Sequence, residues 1–137
     1  YLIPIGVADV KRVGKDATVI AYSRMALTAL EAAEALAKEG IDVEVVDPRT
    51  LKPLDMDTIA ASVRKTGRVV CVTEGYRTGS FAAEMASRIQ EELFDWLDAP
   101  VRVLGAADVP VPMAASLESA SIPRTADIIA AVHEVLA

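Results

Sequence analysis

The chain has 137 residues, 53% of them hydrophobic and 25% charged, a balance typical of one soluble globular domain. The formal net charge of −6 argues against nucleic-acid partners and membrane surfaces, because both attract clustered Lys and Arg side chains. A single cysteine, Cys71, excludes an internal disulfide and a cysteine-based zinc site. No apolar run approaches the roughly 20 residues needed to span a bilayer.

The first half of the chain alternates between strand and helix patterns. Residues 1–15 carry Pro, Gly and basic residues and predict no regular element. Residues 17–22 form a near-continuous apolar run, which predicts a strand buried on both faces. A helix follows, with Ser23 placed to cap its start and Gly40 to end it. Residues 42–46 predict the second strand.

The second half repeats this alternation. Its predicted elements are a helix opened by Pro53 and Asp55 and ended by Gly67, a strand at 68–73, a helix with apolar residues from Ala82 to Leu93, a strand at 101–104, a long connection at 105–122, and a helix from about Thr125. The pattern predicts an α/β three-layer sandwich. We expect a mostly parallel central sheet of about five strands, with helices on both faces, in one domain spanning 1–137.

Parallel sheets bind ligands at the carboxyl ends of their strands, so the residues that follow each predicted strand are the candidates for a functional site. Neither a Gly-x-Gly-x-x-Gly fingerprint nor a Walker loop is present. Ser23 and Arg24 follow the first predicted strand, where they would either hold an anion or serve as a plain cap beside a solvated Arg. The pattern favours the plain cap.

The corner at 47–55 contains Arg49 and Asp55, which we expect to pair in a rigid turn or to face a neighbouring domain. Glu74 ends the third strand, a position suited to acid–base chemistry or to holding Arg77 or backbone N–H groups. No histidine, lysine or metal-ligand partner accompanies Glu74 in the sequence. The pattern therefore does not favour catalysis there.

The remaining candidates also favour structural roles. The only histidine, His133, lies in the last helix and is expected to be half-exposed. Cys71 is expected to be buried and inert, between two valines of a strand. Phe94 and Trp96 belong either to the core or to an interface. With no nucleophile–base pair, metal cluster or phosphate loop, the residues predict no catalytic, cofactor-binding or metal-binding side chain.

The whole chain resembles one family on an ordered set of short motifs. These are Ile3–Gly6 with Ala8-Asp9, Asp47–Asp55, Glu74-Gly75 with Gly79, Ala83-Glu84, Leu97–Arg102, Asp108–Pro112, Leu117-Glu118 and Ile122-Pro123. The family is the carboxy-terminal domain, also called the transketolase C-terminal domain, of the beta subunit of thiamine-diphosphate-dependent 2-oxo acid dehydrogenases. The stretches 97–102 and 108–112 look most like the pyruvate-specific branch, with branched-chain and acetoin enzymes as alternatives.

The resemblance implies a parent enzyme that decarboxylates a 2-oxo acid on thiamine diphosphate with magnesium and passes the acyl group to lipoamide. In the family the cofactor lies between an alpha subunit and an amino-terminal beta domain, which carries the beta subunit's catalytic histidine. Residues 1–15 then resemble the segment that follows this amino-terminal domain, and we expect the present chain to be inactive alone. The expected compartment is the bacterial cytoplasm or the mitochondrial matrix.

The resemblance also implies three partners: a second beta subunit, the alpha subunit, and the basic peripheral subunit-binding domain of the acyltransferase core. For core docking the expected residues are Asp98, Asp95, Glu92 and Ala137, with Glu91 in the same acidic cluster. A solvated helix end is the alternative interpretation of that cluster. For the subunit interface the expected residues are Glu74, Tyr76, Val109, Pro110, Val111 and Pro112.

Two functions of other classes compete with this one. The first is a stand-alone α/β ligand-binding or receiver-like module, which would place acidic residues at the end of the first strand. That strand instead ends Ala21-Tyr22-Ser23. The second is an independent thiamine enzyme, which calorimetry with thiamine diphosphate would identify.

Overall fold

The computed structural model describes residues 2–137 as one α/β unit. Its strands are β1 Asp9–Arg12, β2 Ala17–Ala21, β3 Val43–Asp47, β4 Val69–Tyr76 and β5 Arg102–Ala106. Its helices are α1 Arg24–Ala37, α2 Met56–Thr66, α3 Phe81–Leu93, α4 Ala115–Ser121 and α5 Thr125–Leu136, with a 3₁₀ turn at Phe94–Trp96.

The sheet has the strand order β1-β3-β2-β4-β5. Strands β2 to β5 are parallel, and β1 pairs antiparallel with β3 at the edge, with Asp9 opposite Asp47. This confirms the predicted fold class. The fifth strand, however, comes from residues 1–15, for which no element was predicted. Four polar or half-exposed residues carry little strand signal, and only the open edge of β3 makes them a strand.

Helices cover both faces of the sheet, and each face has its own apolar core. α1 and α5 pack on one face through small and branched side chains, with Leu36, Ile128 and Val132 at the centre. α2 and α3 pack on the other face around Ile59, Met85 and their neighbours. Every residue of β2 is buried, as expected for a central parallel strand.

The predicted ends of α2 follow local signals, whereas the predicted start of α1 does not. The Asp55 side chain accepts a hydrogen bond from the Thr58 N–H, and Gly67 ends α2 in the left-handed region at φ 68°. Ser23, by contrast, makes no side-chain cap, so that prediction is wrong. Its φ of 58° lies outside the usual capping conformation, and its carbonyl accepts from the Ala26 N–H.

Polar contacts attach the N-terminal segment to the sheet. Thr50 Oγ1 accepts from the Gly6 N–H at 2.8 Å, and Glu44 Oε1 accepts from the Gly14 N–H at 3.1 Å. Asp55 Oδ2 accepts from the Ala8 N–H at 2.9 Å. The predicted Arg49–Asp55 pair is therefore wrong, because Asp55 holds backbone groups while Arg49 donates to the Asp9 carboxylate on β1, at 3.0 Å.

Candidate functional site

The carboxyl edge of the sheet contains a topological switch point between β2 and β4. From β2 the chain crosses through α1 to β3 on one side, while β4 and β5 lie on the other side. Ligands of open parallel sheets bind in the crevice formed at such a point. Arg24 follows β2 and Glu74 lies near the end of β4, so the topology sets these two side chains on either side of the crevice.

A cavity of about 510 Å³ occupies this crevice, and we call it the switch-point cavity. Its polar lining residues are Arg24, Glu74, Tyr76, Glu118 and Ser121, and its other lining residues are Gly75, Ala106, Ala107, Val109, Val111 and Ile122. A second cavity of about 350 Å³, between the starts of α1 and α5, shares Arg24, Glu118 and Ile122 with the first.

The structure thus brings four of the six predicted interface residues to one cavity: Glu74, Tyr76, Val109 and Val111. Pro110 and Pro112 belong to the same loop but do not line the cavity. Sequence reasoning did not identify Ser121, and it named Glu118 and Ile122 only within the motifs that carry the family resemblance, not as site residues. They lie on and after α4, a short helix that buries none of its side chains and therefore leaves no clear apolar periodicity to read.

Hydrogen bonds fix both sides of the switch-point cavity. Thr73 Oγ1 accepts from Tyr22 Oη at 2.8 Å and from the Gly75 N–H at 3.2 Å, which holds the end of β4. The Ala107 N–H donates to the Ser121 carbonyl at 2.9 Å, which ties β5 to the end of α4. The cavity is therefore preformed by the fold.

Charges in the switch-point cavity have no partners within the protein. Across residues 2–137, no oppositely charged group lies within 4.0 Å of Arg24, Glu74 or Glu118. Arg77 does not pair with Glu74 either, since its Nε donates to the Val103 carbonyl at 3.3 Å. One guanidinium and two carboxylates thus face the same space.

A second surface lies at the opposite, amino edge of the sheet, and we call it the acidic corner. It comprises Glu91, Glu92, Asp95 and Asp98, all exposed, around the 3₁₀ turn. Phe94 and Trp96 are 64% and 52% exposed, which removes the core alternative for both aromatic residues. The guanidinium of Arg64 lies 5.7 Å from the centre of the Trp96 ring.

Two hydrogen bonds connect this edge to the C-terminal helix, one between backbone groups and one from the Arg68 guanidinium. The Asp98 N–H donates to the Gly67 carbonyl at 2.8 Å, and the neighbouring Arg68 donates to the Val135 carbonyl at 2.7 Å. Ala137 follows directly after α5 and is exposed. Glu92 lies 3.5 Å from Arg88, one turn earlier on α3.

The single histidine and the single cysteine behave as predicted. His133 is half-exposed, and its Nε2 lies 2.7 Å from Glu39 Oε2 on α1. Cys71 is fully buried in β4, and burial raises the pKa of its thiol to about 12. The thiolate required for nucleophilic chemistry is therefore disfavoured at neutral pH.

Within residues 2–137, no three His, Cys, Asp or Glu side chains are grouped so that they could hold a metal ion. Across that part of the chain, no helix has the length and apolar character needed to cross a membrane.

Known proteins match this chain over nearly its entire length. The chain is 45% identical over 135 residues to the mitochondrial pyruvate dehydrogenase E1 component subunit beta of Dictyostelium discoideum, covering 98% of this chain and 38% of that protein. It is 44% identical over 135 residues to the pyruvate dehydrogenase E1 component subunit beta of Rhizobium meliloti (strain 1021), covering 98% of this chain and 29% of that protein.

A solved structure described as a split gene transketolase, an inactive beta4 tetramer, matches with a TM-score of 0.84 and 34% identity, over 98% of this chain and 42% of that one. The chain therefore spans well under half the length of each of these relatives. The family model described as transketolase, C-terminal domain, matches residues 6–128. The strand order, the two-sided helical layers and these matches agree: the chain belongs to the transketolase C-terminal domain family.

Proposed function

We propose that this chain is the carboxy-terminal domain of the beta subunit of a pyruvate dehydrogenase E1 component, and that it assembles the enzyme and docks it to the acyltransferase core. The observation that carries this proposal is identity of 44–45% over 98% of the chain to beta subunits of that name. The parent would decarboxylate pyruvate and pass an acetyl group to lipoamide. The compartment would be the cytoplasm of a bacterium or the mitochondrial matrix of a eukaryote.

Thiamine diphosphate with magnesium would supply the carbon–carbon bond cleavage in that parent. Within residues 2–137, no three His, Cys, Asp or Glu side chains are grouped so that they could hold the magnesium by themselves. The proposal places the cofactor in the rest of the parent, between an amino-terminal beta domain and the alpha subunit.

The exposed apolar side chains of the N-terminal segment support the proposal that another domain precedes it. Its polar groups hold it to the sheet, while its apolar side chains point away, with Leu2 95% and Ile5 81% exposed. Ile3, Val7, Val10 and Val13 are also exposed. Exposed apolar side chains in such density are typical of a surface that another protein part covers. In the proposed parent this part is the preceding domain, to which residues 1–15 connect.

The loop at the carboxyl edge is proposed to contact the second beta subunit. Val109, Val111 and Met113 are exposed, as is Leu117 on α4, so the loop offers apolar area next to Glu74 and Tyr76. Apolar and aromatic side chains of this kind form the centres of interfaces. The alpha subunit would complete the heterotetramer.

The acidic corner is proposed to bind the peripheral subunit-binding domain through Asp98, Asp95 and Glu92, together with Ala137. Its exposed carboxylates complement a basic partner, and the exposed Trp96 beside them offers an aromatic anchor. The loop at the carboxyl edge and the acidic corner lie at opposite ends of the strands, which are about 16 Å long. Subunit assembly and core docking would therefore not compete for the same residues.

Substrate choice is tested with the complete beta subunit, reconstituted with its alpha subunit. We expect turnover of pyruvate to exceed that of branched-chain 2-oxo acids in acyl transfer to lipoyl domains. A preference for a branched-chain 2-oxo acid or for acetoin would assign the chain to that alternative branch. No thiamine-dependent turnover of any of these substrates would refute the enzyme assignment.

Docking is tested by titrating the reconstituted enzyme with an isolated subunit-binding domain at low salt. Asp98→Lys should weaken binding about tenfold or more, because a like charge replaces an opposite one. The control is Glu34→Lys, the same charge change on the exposed face of α1. Equal affinities for the two variants would contradict the docking proposal, provided that both melt at the parental temperature.

A further inference from the structure

We propose that the switch-point cavity is a binding site for a small zwitterionic ligand with an aliphatic side chain, of the class of the branched aliphatic α-amino acids. This inference goes beyond the proposed function, and residues of this chain alone build the cavity. Because the proposed contact with a second beta subunit uses Glu74, Tyr76, Val109 and Val111 as well, the ligand would bind the chain when that contact is not made.

Position and size both favour a ligand. The cavity lies where β2 and β4 send the chain in opposite directions, which is the usual binding crevice of an open parallel sheet. Its volume of about 510 Å³ falls in the range of small-molecule sites, roughly 300–1,000 Å³. Its walls are fixed by the Thr73 and Ala107 hydrogen bonds, so a ligand would meet a site that needs little ordering.

The charges in the cavity select the polar end of the ligand. Arg24 presents a guanidinium, whose planar fork suits a carboxylate. Glu74 and Glu118 present carboxylates that suit an ammonium group. Since none of the three has an opposite charge within 4.0 Å in residues 2–137, a ligand that carries both charges would satisfy groups that the protein itself leaves unpaired.

The remaining wall selects the other end of the ligand. Val109, Val111 and Ile122 line the cavity together with Ala106 and Ala107. An aliphatic side chain placed against them would remove apolar surface from water on both sides. Neither a simple inorganic anion nor a nucleotide matches this combination, because the first has no apolar part and the second would bring phosphates close to two carboxylates.

The test is calorimetric titration of the purified chain with L-leucine at pH 7, at a protein concentration where sedimentation shows monomer. We expect saturable binding of one leucine per chain with a Kd of about 1 mM or tighter. Two analogues each lack one charge: 4-methylpentanoate has no ammonium group, and 3-methylbutylamine has no carboxylate. Each should bind about tenfold more weakly than leucine or worse.

A matched pair of variants on α1 completes the test. Arg24→Gln should weaken leucine binding about tenfold, whereas Lys38→Gln, the same loss of charge at the far end of the helix, should leave it unchanged. Melting temperatures establish that both variants fold.

Several results would overturn the proposal. These are no saturable heat up to about 20 mM leucine, equal affinity for the single-charge analogues, or an unchanged Kd for Arg24→Gln. If the chain instead dimerises, leucine does not bind, and Arg24→Gln breaks the dimer, then the cavity charges pair with a second copy. That result would also overturn the ligand proposal, while it would leave the enzyme assignment and the docking proposal standing.

Discussion

Glu44 makes the clearest stability prediction, because it is a carboxylate that is 2% exposed in a central layer of the fold. Its Oε1 accepts from the Gly14 N–H at 3.1 Å and pairs with Lys65 Nζ. Burial by itself raises the pKa of Glu44, but the contacts with Lys65, Ser62 and Gly14 outweigh it and hold this pKa below its usual value. The folded protein therefore favours the ionised carboxylate.

The perturbation is Glu44→Gln, which keeps the shape and one acceptor oxygen. Gly14 N–H and Lys65 Nζ both contact Oε1 and keep an acceptor there, but the carboxylate charge that pairs with Lys65 is lost, and an amide N–H₂ replaces the other buried oxygen. Hydrogen bonds to charged groups contribute about 1.5–3 kcal/mol, and the Lys65 side chain is 42% exposed, so water replaces part of the loss. We expect a loss of about 2 kcal/mol in the free energy of unfolding at pH 7, or a fall of about 7 °C in Tm for a domain of this size.

The pH dependence gives the sign of the effect. In the unfolded chain Glu44 takes up a proton near its usual pKa of 4.5, whereas in the folded chain it resists protonation to a lower pH. The stability that its ionised form contributes is fully present above pH 4.5 and is lost as pH falls through the folded pKa. The stability difference between the parent and Glu44→Gln should therefore shrink as pH falls below 4.5.

Urea unfolding at pH 7 and at pH 3 measures this difference. The control is Glu34→Gln on the exposed face of α1, which should stay within about 0.5 kcal/mol of the parent. A loss below about 0.5 kcal/mol at pH 7, or a difference that does not change with pH, would refute the reasoning.

Three further predictions rest on single residues. Gly14→Ala should lower the free energy of unfolding by about 2–4 kcal/mol in urea, because its Cβ would lie 2.3 Å from a backbone carbonyl carbon of β3. The control Gly75→Ala should change it little, because the nearest contact of its Cβ is 3.7 Å away. Equal losses for the two variants would contradict this prediction. In thermal unfolding, Asp55→Ala should lower the free energy of unfolding by about 1–2 kcal/mol. Asp55→Asn should lower it less, because asparagine still accepts from the Thr58 N–H. An unchanged Tm for the alanine variant would show that the cap does not contribute to stability. A thiol reagent at pH 8 should label Cys71 only after urea is added, because burial raises the pKa of its thiol to about 12. Rapid labelling of the native chain would disprove its burial.

The sequence correctly predicted those elements that depend only on residues close together in the chain. Asp55 and Gly67 bound α2 because a carboxylate next to a free N–H and a residue without Cβ act within one turn of the helix. The unbroken apolar run of β2 predicted a strand covered on both faces, and the fully buried β2 is that strand. The same reasoning placed the helices on both faces of a parallel sheet.

The candidate site depends on contacts between residues distant in sequence, which no local pattern contains. Arg49 has Asp9 as its partner because β1 pairs with β3, and β1 exists only because the edge of β3 is open. Arg24 and Glu118 are 94 positions apart, yet both line the switch-point cavity.

The amino-acid sequence by itself thus determined the order and type of the main elements, since propensity, capping and apolar periodicity act over a few residues. Only the tertiary structure decided which strand pairs with the open edge of β3, which carboxylate pairs with Arg49, and where charged side chains lie without an ion-pair partner. These outcomes depend on burial and on distances through space, and both arise only when the separate elements pack together.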